Sequence, residues 1–298
     1  MRQTAKVTKA MESVSAVKMR KAQMEAIQAR SYTHAAFTIL KRLAGVSTLA
    51  IDQVYDFHAK QSGRTAVVLI TSSKGLAGAL NTNVFKHVST LIDKNGWTTD
   101  TTDFICVGKK GSEFIKRTGF DVLETIDQFN DEDAGPVLHE ISGLCLDLFH
   151  NQDYKDVHVI YTNFVSTTEQ HAVSRLLLPI VYGDLKDFIH EIIPKTGRFS
   201  GITDADLDAA VDWNKEYLYE PNPEQLISDL VPHLMYIGLY YSLLESKASE
   251  HSARMIAMKN ATDKAGEVAK DLNRAYNKAR QAAITSEISE IVSGMETS

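Results

Sequence analysis

No proline follows Pro232 in this chain, so from His233 to Ser298 the backbone chemistry forces no break in a helix, although Gly238 and Gly266 each weaken one. Stepping by four and three from Leu230 reaches Leu234, Ile237, Tyr241, Leu244, Ala248, His251, Met255, Met258, Thr262, Ala265, Ala269, Leu272, Tyr276, Ala279 and Ala283, and only His251 and Thr262 interrupt the apolar series. A strict seven-residue repeat kept up over about seven heptads predicts a coiled-coil seam, not the broader stripe of a helix lying on a globular core. Pro221 and Pro223 set up the start of this helix, with Glu224 favourable in its first turn.

Its natural partner lies at the other end of the same chain. Met1 to Ala44 contains no Gly or Pro, Gly45 is the first natural stop, and a continuous helix there would be roughly 65 Å long at about 1.5 Å per residue. Val7, Ala10, Val14 and Val17 recur at three and four before the series meets Lys21 and then Met24, so this face is expected to pair, antiparallel, with the carboxy-terminal helix. The carboxy-terminal helix, up to about 70 residues or 105 Å, outruns its partner. Some of it must project beyond the shorter helix or be covered by another protein, because an uncovered apolar stripe of that length invites aggregation.

Between the two ends the texture changes. Short β-branched runs, "TAVVLITS" at Thr65 to Ser72, "DFICVG" at Asp103 to Gly108 and "DVHVIYTNF" at Asp156 to Phe164, alternate with helical stretches such as "NTNVFKHVSTLIDK" and "AGPVLHEISGLCLDLFH". That alternation predicts an α/β domain with a largely parallel sheet, inserted between the terminal helices. The expected division is residues 1–45 for the amino-terminal coiled-coil helix, 46–222 for the α/β domain and 223–298 for the carboxy-terminal helix. The polar segment "PKTGRFSGITDADLDAA" reads as an excursion from the domain, not as core.

Net charge is −6, unevenly placed: within the first 30 residues Arg2, Lys6, Lys9, Lys18, Arg20, Lys21 and Arg30 face only Glu12 and Glu25. A basic helix on an acidic body suits a partner with a negative surface, nucleic acid among them, or simply a solvated helix face. Cys106 and Cys145 sit in apolar surroundings and read as buried free thiols of a reducing compartment. No run of about 18 apolar residues predicts a membrane span, and no continuous apolar stretch after Arg2 predicts a secretory signal.

Catalytic motifs find little support. "VVLITSSKGLAGALNTN" has the strand, turn and helix of a phosphate loop, but Gly75 and Gly78 give only G-x-x-G, and Lys74 precedes the glycines where a phosphate loop needs Lys and Ser/Thr after them. A tight strand-to-helix turn that needs glycine for its backbone angles accounts for it. The ten histidines show no ligand spacing, His251 in the seam reads as a register residue, and "DEDAG" at Asp131 to Gly135 reads as a loop and helix cap. With no G-x-S-x-G elbow and no cysteine paired with a histidine, neither catalytic, cofactor nor metal residues are expected.

Certain strings are nonetheless specific. "TKAMESVSAVKMRKAQ", "TSSKGLAGALNTN", "YLYEP", "SEHSARMIAMKNATDKAGE" and "YNKARQAAITSEISEIVSG" together, in this order from near the first residue to near the last, resemble the gamma subunit of F-type ATP synthase. The resemblance implies an antiparallel coiled coil carrying a Rossmann-like domain that binds no dinucleotide. It implies a central rotor shaft that is not itself a catalyst. Its partners would be the alpha and beta subunits of the head, the epsilon subunit and the membrane rotor ring, with no nucleic acid and no direct span, and it would sit peripherally on the cytoplasmic side of the cell inner membrane. Proton-driven rotation of ring and shaft would then cycle the beta sites through different nucleotide affinities.

Residue by residue, the resemblance implies that Met11, with Lys9 beside it, faces an acidic loop of beta. It implies that Arg280, Gln281 and Thr285 contact the catalytic subunits high on the shaft, and that Tyr217, Tyr219 and Glu220 form the foot that meets ring and epsilon. Small residues at Ala265, Ala269, Ala279 and Ala283 would let the helix axes approach closely and keep the shaft narrow. Family members usually begin about a dozen residues before the point where this chain starts, so either the gene start lies further upstream or the upper amino-terminal helix is shortened, and Gly294 is followed by Met295 where the family usually has Ala. The rivals are a coiled-coil scaffold or nucleic-acid-binding protein using the basic helix, and a Rossmann-type enzyme with helical arms.

Overall fold

The computed structural model describes residues 1–46, 62–127, 135–151, 154–179, 218 and 220–296. The polar excursion at 195–210, most of "DEDAG", and Tyr217 and Tyr219 lie outside the described residues. The order of elements is α1 (Arg2–Val46), β1 (Arg64–Ile70), α2 (Leu80–Asn95), β2 (Thr102–Val107), α3 (Lys109–Thr118), β3 (Asp121–Ile126), α4 (Gly135–Asn151), β4 (Tyr154–Phe164), β5 (Gln170–Leu178) and α5 (Pro223–Glu296).

Helix α5 runs for 74 residues and continues through Gly238 and Gly266. At its start Pro223 occupies the first helical position, where a missing N–H costs nothing, and the Asn222 side chain accepts a hydrogen bond from the Gln225 N–H at 2.8 Å. Its pairing with α1 is antiparallel. Thr8 meets Thr262 through a hydroxyl pair at 2.7 Å, while Ala26, further along α1, packs with Tyr241 and Leu244, earlier on α5.

On α5 the expected seam is the observed one from Leu234 to Ala265, with most of its side chains buried. On α1 the structure corrects the sequence reading. Val7, Val14, Val17 and Met24 are exposed, Val17 to 67%, and Ala10 is exposed with them. The residues that pair are Ser15, Met19, Ala22 and Ala26, spaced by four, three and four. The cause is size. Tyr241 and Leu244 project from α5, and small side chains on α1 leave room for them, whereas a row of valines would hold the axes apart.

Above Ala269 none of the described residues covers the α5 seam, and Leu272 and Tyr276 are 57% and 66% exposed. Helix α1 has ended by then, so the projecting single helix expected from the unequal lengths is present.

The sheet has five strands in the order β3-β2-β1-β4-β5. Pairings β1·β2, β1·β4 and β2·β3 are parallel, and β5 returns antiparallel along β4 after a tight turn at Val165 to Glu169. Two of these strands, β3 and β5, were not legible as such. β1 is buried on both faces, which explains its unbroken apolar run. One face packs Val67, Leu69, Phe104, Cys106 and Ile160 against α2, α3 and Trp97. The other packs Val68, Ile70, Val159 and Tyr161 against α4 and against Met235, Leu239 and Leu243 of α5. The long helix therefore presents one face to α1 and another to the sheet.

The ends of the strands are tied differently. At the amino ends, Asp103 accepts two hydrogen bonds from the Arg64 guanidinium, both at 2.6 Å, and one from the Tyr154 hydroxyl at 2.5 Å. At the carboxyl ends, Gly108 turns β2 into α3 with φ of 104°, and a Cβ there would lie 2.2 Å from the Thr71 carbonyl oxygen. Only glycine fits that approach. Both cysteines are buried free thiols.

Candidate functional site

A parallel α/β sheet presents its binding crevice outside the carboxyl ends of the strands, where the chain order reverses. Here that point lies between β1, which leads outward to β2, and β4 on its other side. Helix α5 plugs the β4 side of this crevice, and a cavity of ≈ 280 Å³ remains beside it between Gly78, Leu80, Thr162 and Ala253. The Ser246 hydroxyl accepts from the Thr162 N–H at 3.2 Å, and Ser249 donates to the Thr162 carbonyl at 3.3 Å. Glu245 accepts from the Phe164 N–H at 2.5 Å and from the Tyr241 hydroxyl. Further along, Ser252 donates to the Thr167 carbonyl at 2.7 Å. The polar run "SLLESKASEHSAR", which looks wrong for a buried helix, is what satisfies the backbone groups at the strand ends.

The G-x-x-G loop after β1 is held in the same way. Arg254 donates to the Gly75 carbonyl from Nε at 3.4 Å and from Nη2 at 3.3 Å, and Nη2 also donates to Glu250 at 2.6 Å. Arg254 and Glu250 are both only 10% exposed at the side chain. Nη1 of the same guanidinium reaches Nδ1 of His251 at 3.4 Å, so His251 serves this cluster as well as the seam. At the base of the loop, Ser72 accepts from and donates to Asn81 (Oγ from Nδ2 at 2.7 Å, N–H to Oδ1 at 3.2 Å) and donates to the Lys74 carbonyl at 2.8 Å. Gly78 has φ of 58°, as a turn glycine should, but Gly75 does not need the left-handed region, and Leu76 occupies it with φ of 65°. "SSKGLAG" is thus a loop gripped by the long helix, with its left-handed angles at Leu76 and Gly78.

Beside this grip lies a cleft of ≈ 640 Å³ between α1, the loop and α5. Met11 and Val14 line it from α1, Leu76 from the loop, and Lys74, Lys109 and Arg254 add positive charge around Asp127 and Glu250. Met11 is half-buried at this cleft. Lys9 is exposed on the neighbouring turn and pairs with Glu12 at 3.0 Å.

The other expected residues are not brought to this place. Arg280, Gln281 and Thr285 lie exposed on the single-helix portion of α5, where the Thr285 hydroxyl donates to the Gln281 carbonyl at 2.8 Å. Glu220 is exposed just ahead of α5, beside Leu218. Arg254, Glu250, Glu245 and Leu76 were missed by sequence reasoning. The available signal was the i, i+4 spacing of Glu250 and Arg254 inside an apolar seam, a charge pair that a helix buries only when something lies across from it. Among the described residues, no three His, Cys, Asp or Glu side chains converge as metal ligands, and no helix is long and apolar enough to cross a membrane.

Comparison with known proteins gives one answer. The family profile described as ATP synthase matches residues 1–297. The ATP synthase gamma chain of Aromatoleum aromaticum is 36% identical over 297 residues, covering 98% of this chain and 93% of its own. That of Halothermothrix orenii is 37% identical over 302 residues with the same coverage. Among solved structures, the central stalk and c-ring of the Tetrahymena thermophila mitochondrial ATP synthase contains a chain with a TM-score of 0.59 and 25% identity, matching 86% of this chain and 99% of that one. A chain of the Euglena gracilis mitochondrial ATP synthase rotor shares the fold, with a TM-score of 0.58 over 95% of each.

Proposed function

The chain belongs to the gamma-chain family of ATP synthase, a subunit of the central stalk of that membrane-associated complex, and from this premise we propose how its parts divide the work. The terminal segments 1–45 and 223–298 act as the shaft, and 46–222 as its foot. The shaft stands inside a head of alpha and beta subunits, while the foot, with Tyr217, Tyr219 and Glu220, meets the epsilon subunit and the membrane ring at the cytoplasmic side of the inner membrane. Proton-driven rotation of ring and shaft carries the beta sites through their nucleotide affinities, and the chain itself performs no catalytic step.

The observation that carries this reading is the projecting α5. A single helix exposing Leu272, Tyr276, Ile284 and Ile288 is not a stable end state in water, and a surrounding sleeve of partner subunits accounts for it. Met11 at the cleft with Lys9 on the neighbouring turn, and Arg280, Gln281 and Thr285 on the projecting helix, are the residues we assign to contact with the head. The grip of α5 on the strand ends supports a foot that holds no nucleotide, since Ser246, Ser249 and Arg254 spend their polar groups on the Thr162 and Gly75 backbone.

Arg280 and Gln281 supply the test. A shaft biases a catalytic subunit only as far as its contacts differ between that subunit's conformations. Replacing both with Ala removes charge-assisted hydrogen bonds worth about 1.5 to 3 kcal/mol each when well formed. ATP turnover per intact complex is expected to fall while alpha, beta and gamma stoichiometry is kept, because neither side chain touches α1. Unchanged turnover at full assembly would overturn the assignment of these two residues.

A further inference from the structure

Leu76 is a branched apolar residue held in the left-handed region and 62% exposed, and no other non-glycine residue among those described has a positive φ. Left alone, an L-residue with a bulky side chain relaxes out of that conformation and turns its apolar surface away from water. It persists only where the surroundings over-determine it, and such outliers gather at sites that make contacts. The surroundings here are specific. Arg254 hydrogen-bonds the carbonyl of Gly75, the residue immediately before Leu76, through two of its nitrogens, and is itself fixed by Glu250 and His251. Three residues further back, Ser72 closes the loop through Asn81 and Lys74.

We infer that Arg254 is a positioning residue for coupling: from within the long helix it locks the β1–α2 loop so that Leu76 is presented rigidly at the rim of the cleft beside Met11. The inference rests on the shaft reading above. A loop that yielded under load would dissipate a push delivered by a turning helix. A planar guanidinium spread over three acceptors resists displacement in every in-plane direction, as a single ammonium does not. Arg254 touches no reacting atom, and its effect runs through the loop.

The test uses Arg254→Lys, which keeps the charge and loses the fork, and Leu76→Asn, which tolerates the left-handed region and removes the apolar tip. In the full-length chain, hydrogen exchange of the Ser72 amide at the base of the loop, which donates to Asn81 Oδ1 at 3.2 Å, is expected to accelerate about tenfold or more in Arg254→Lys, with β1 amides unchanged. In the complex with alpha and beta subunits at full stoichiometry, each variant is expected to lower ATP turnover by about threefold or more, and the double variant no further than the worse single one. Unchanged loop exchange would overturn the clamp. Faster exchange with unchanged turnover, or losses that multiply in the double variant, would overturn the link from clamp to coupling. Failure of the unmodified chain to assemble with head subunits would instead defeat the shaft reading, and the exchange result would still decide whether Arg254 fixes the loop.

Discussion

Ala22 and Val17 lie five residues apart on α1, and the structure assigns them opposite environments: Ala22 is 6% exposed within the seam and Val17 is 67% exposed outside it. An aspartate at each position separates the observed seam from the one the valine pattern suggests. At position 22 the carboxylate has been taken out of water between two closely spaced helices, and the cheapest response is to keep its proton. Holding a carboxyl of ordinary pKa about 3.9 neutral at pH 7 costs about 4 kcal/mol, at about 1.36 kcal/mol per unit. Overpacking against α5 adds about 1 to 3 kcal/mol. At position 17 the side chain stays hydrated and the change is within about 0.5 kcal/mol.

The assay is urea unfolding of the full-length chain followed by helix circular dichroism, at neutral pH and near pH 4. The sign of the pH effect is fixed. In Ala22→Asp the folded-state pKa is raised above the unfolded one, so its electrostatic penalty is absent below about pH 3.9 and grows as pH rises toward 7. Most of the loss should therefore vanish in acid relative to the unmodified chain under the same conditions, leaving the steric part. Equal destabilisation by the two substitutions, or a loss at Ala22 that ignores pH, would refute the seam.

Two further perturbations test the α/β part. Gly108→Ala should destabilise by about 3 kcal/mol or more, because the φ of 104° and the Thr71 carbonyl oxygen at 2.2 Å both exclude a Cβ, whereas Gly143→Ala in open space on α4 should be neutral or slightly stabilising; thermal melts decide. Burial pushes the Cys106 and Cys145 thiols up to about 12 from near 9, and burial together with the Asp103 hydrogen bond pushes the Tyr154 hydroxyl up to about 12 from 10. The fold keeps these protons when the unfolded chain loses them, so stability should be fully present below about pH 9 and fall toward pH 12, at about 4 kcal/mol per pH unit once all three contribute. Denaturant midpoints that stay level from neutral pH through pH 11 would contradict this.

The heptad on α5 was legible because one side chain in every three or four is buried from Leu234 to Ala265 and the same spacing continues beyond, and the alternation of β1, β2 and β4 with helices was legible because the middle of each strand is buried on both faces. β3 was not, since it is an edge strand whose Asp121, Leu123 and Glu124 face solvent and mix signals. The α1 seam misled because apolar pattern and pairing face differ there. Val7, Val14 and Val17 carry the hydropathy, while Ser15, Ala22 and Ala26 have the size that fits. Met11 was singled out by resemblance alone, as facing an acidic loop of beta, and nothing in its spacing distinguishes it from a packed methionine. Arg254 and Leu76 depend on a contact across 179 positions of sequence, between Arg254 and Gly75, and on a backbone angle that no residue pattern announces.

The plugged crevice has a consequence of its own. A helix that only lay on the sheet would transmit rotation through apolar contact, which has no direction. Glu245 makes the contact directional by sending one carboxylate oxygen to the Phe164 N–H at the end of β4 and the other to the Tyr241 hydroxyl, which is fully buried. Glu245→Ala removes both acceptor oxygens, the one that takes the Phe164 N–H and the one that takes the Tyr241 hydroxyl, and stranding the N–H costs about 1 to 3 kcal/mol. Glu245→Gln keeps an oxygen for Phe164 and turns an amide toward Tyr241, whose hydroxyl can accept, so its loss should be smaller. Hydrogen exchange at the Phe164 amide should accelerate strongly in the first variant and little in the second, while amides in β2 stay protected. If the two variants behave alike, the end of β4 is held by packing and the key between foot and shaft lies elsewhere along α5.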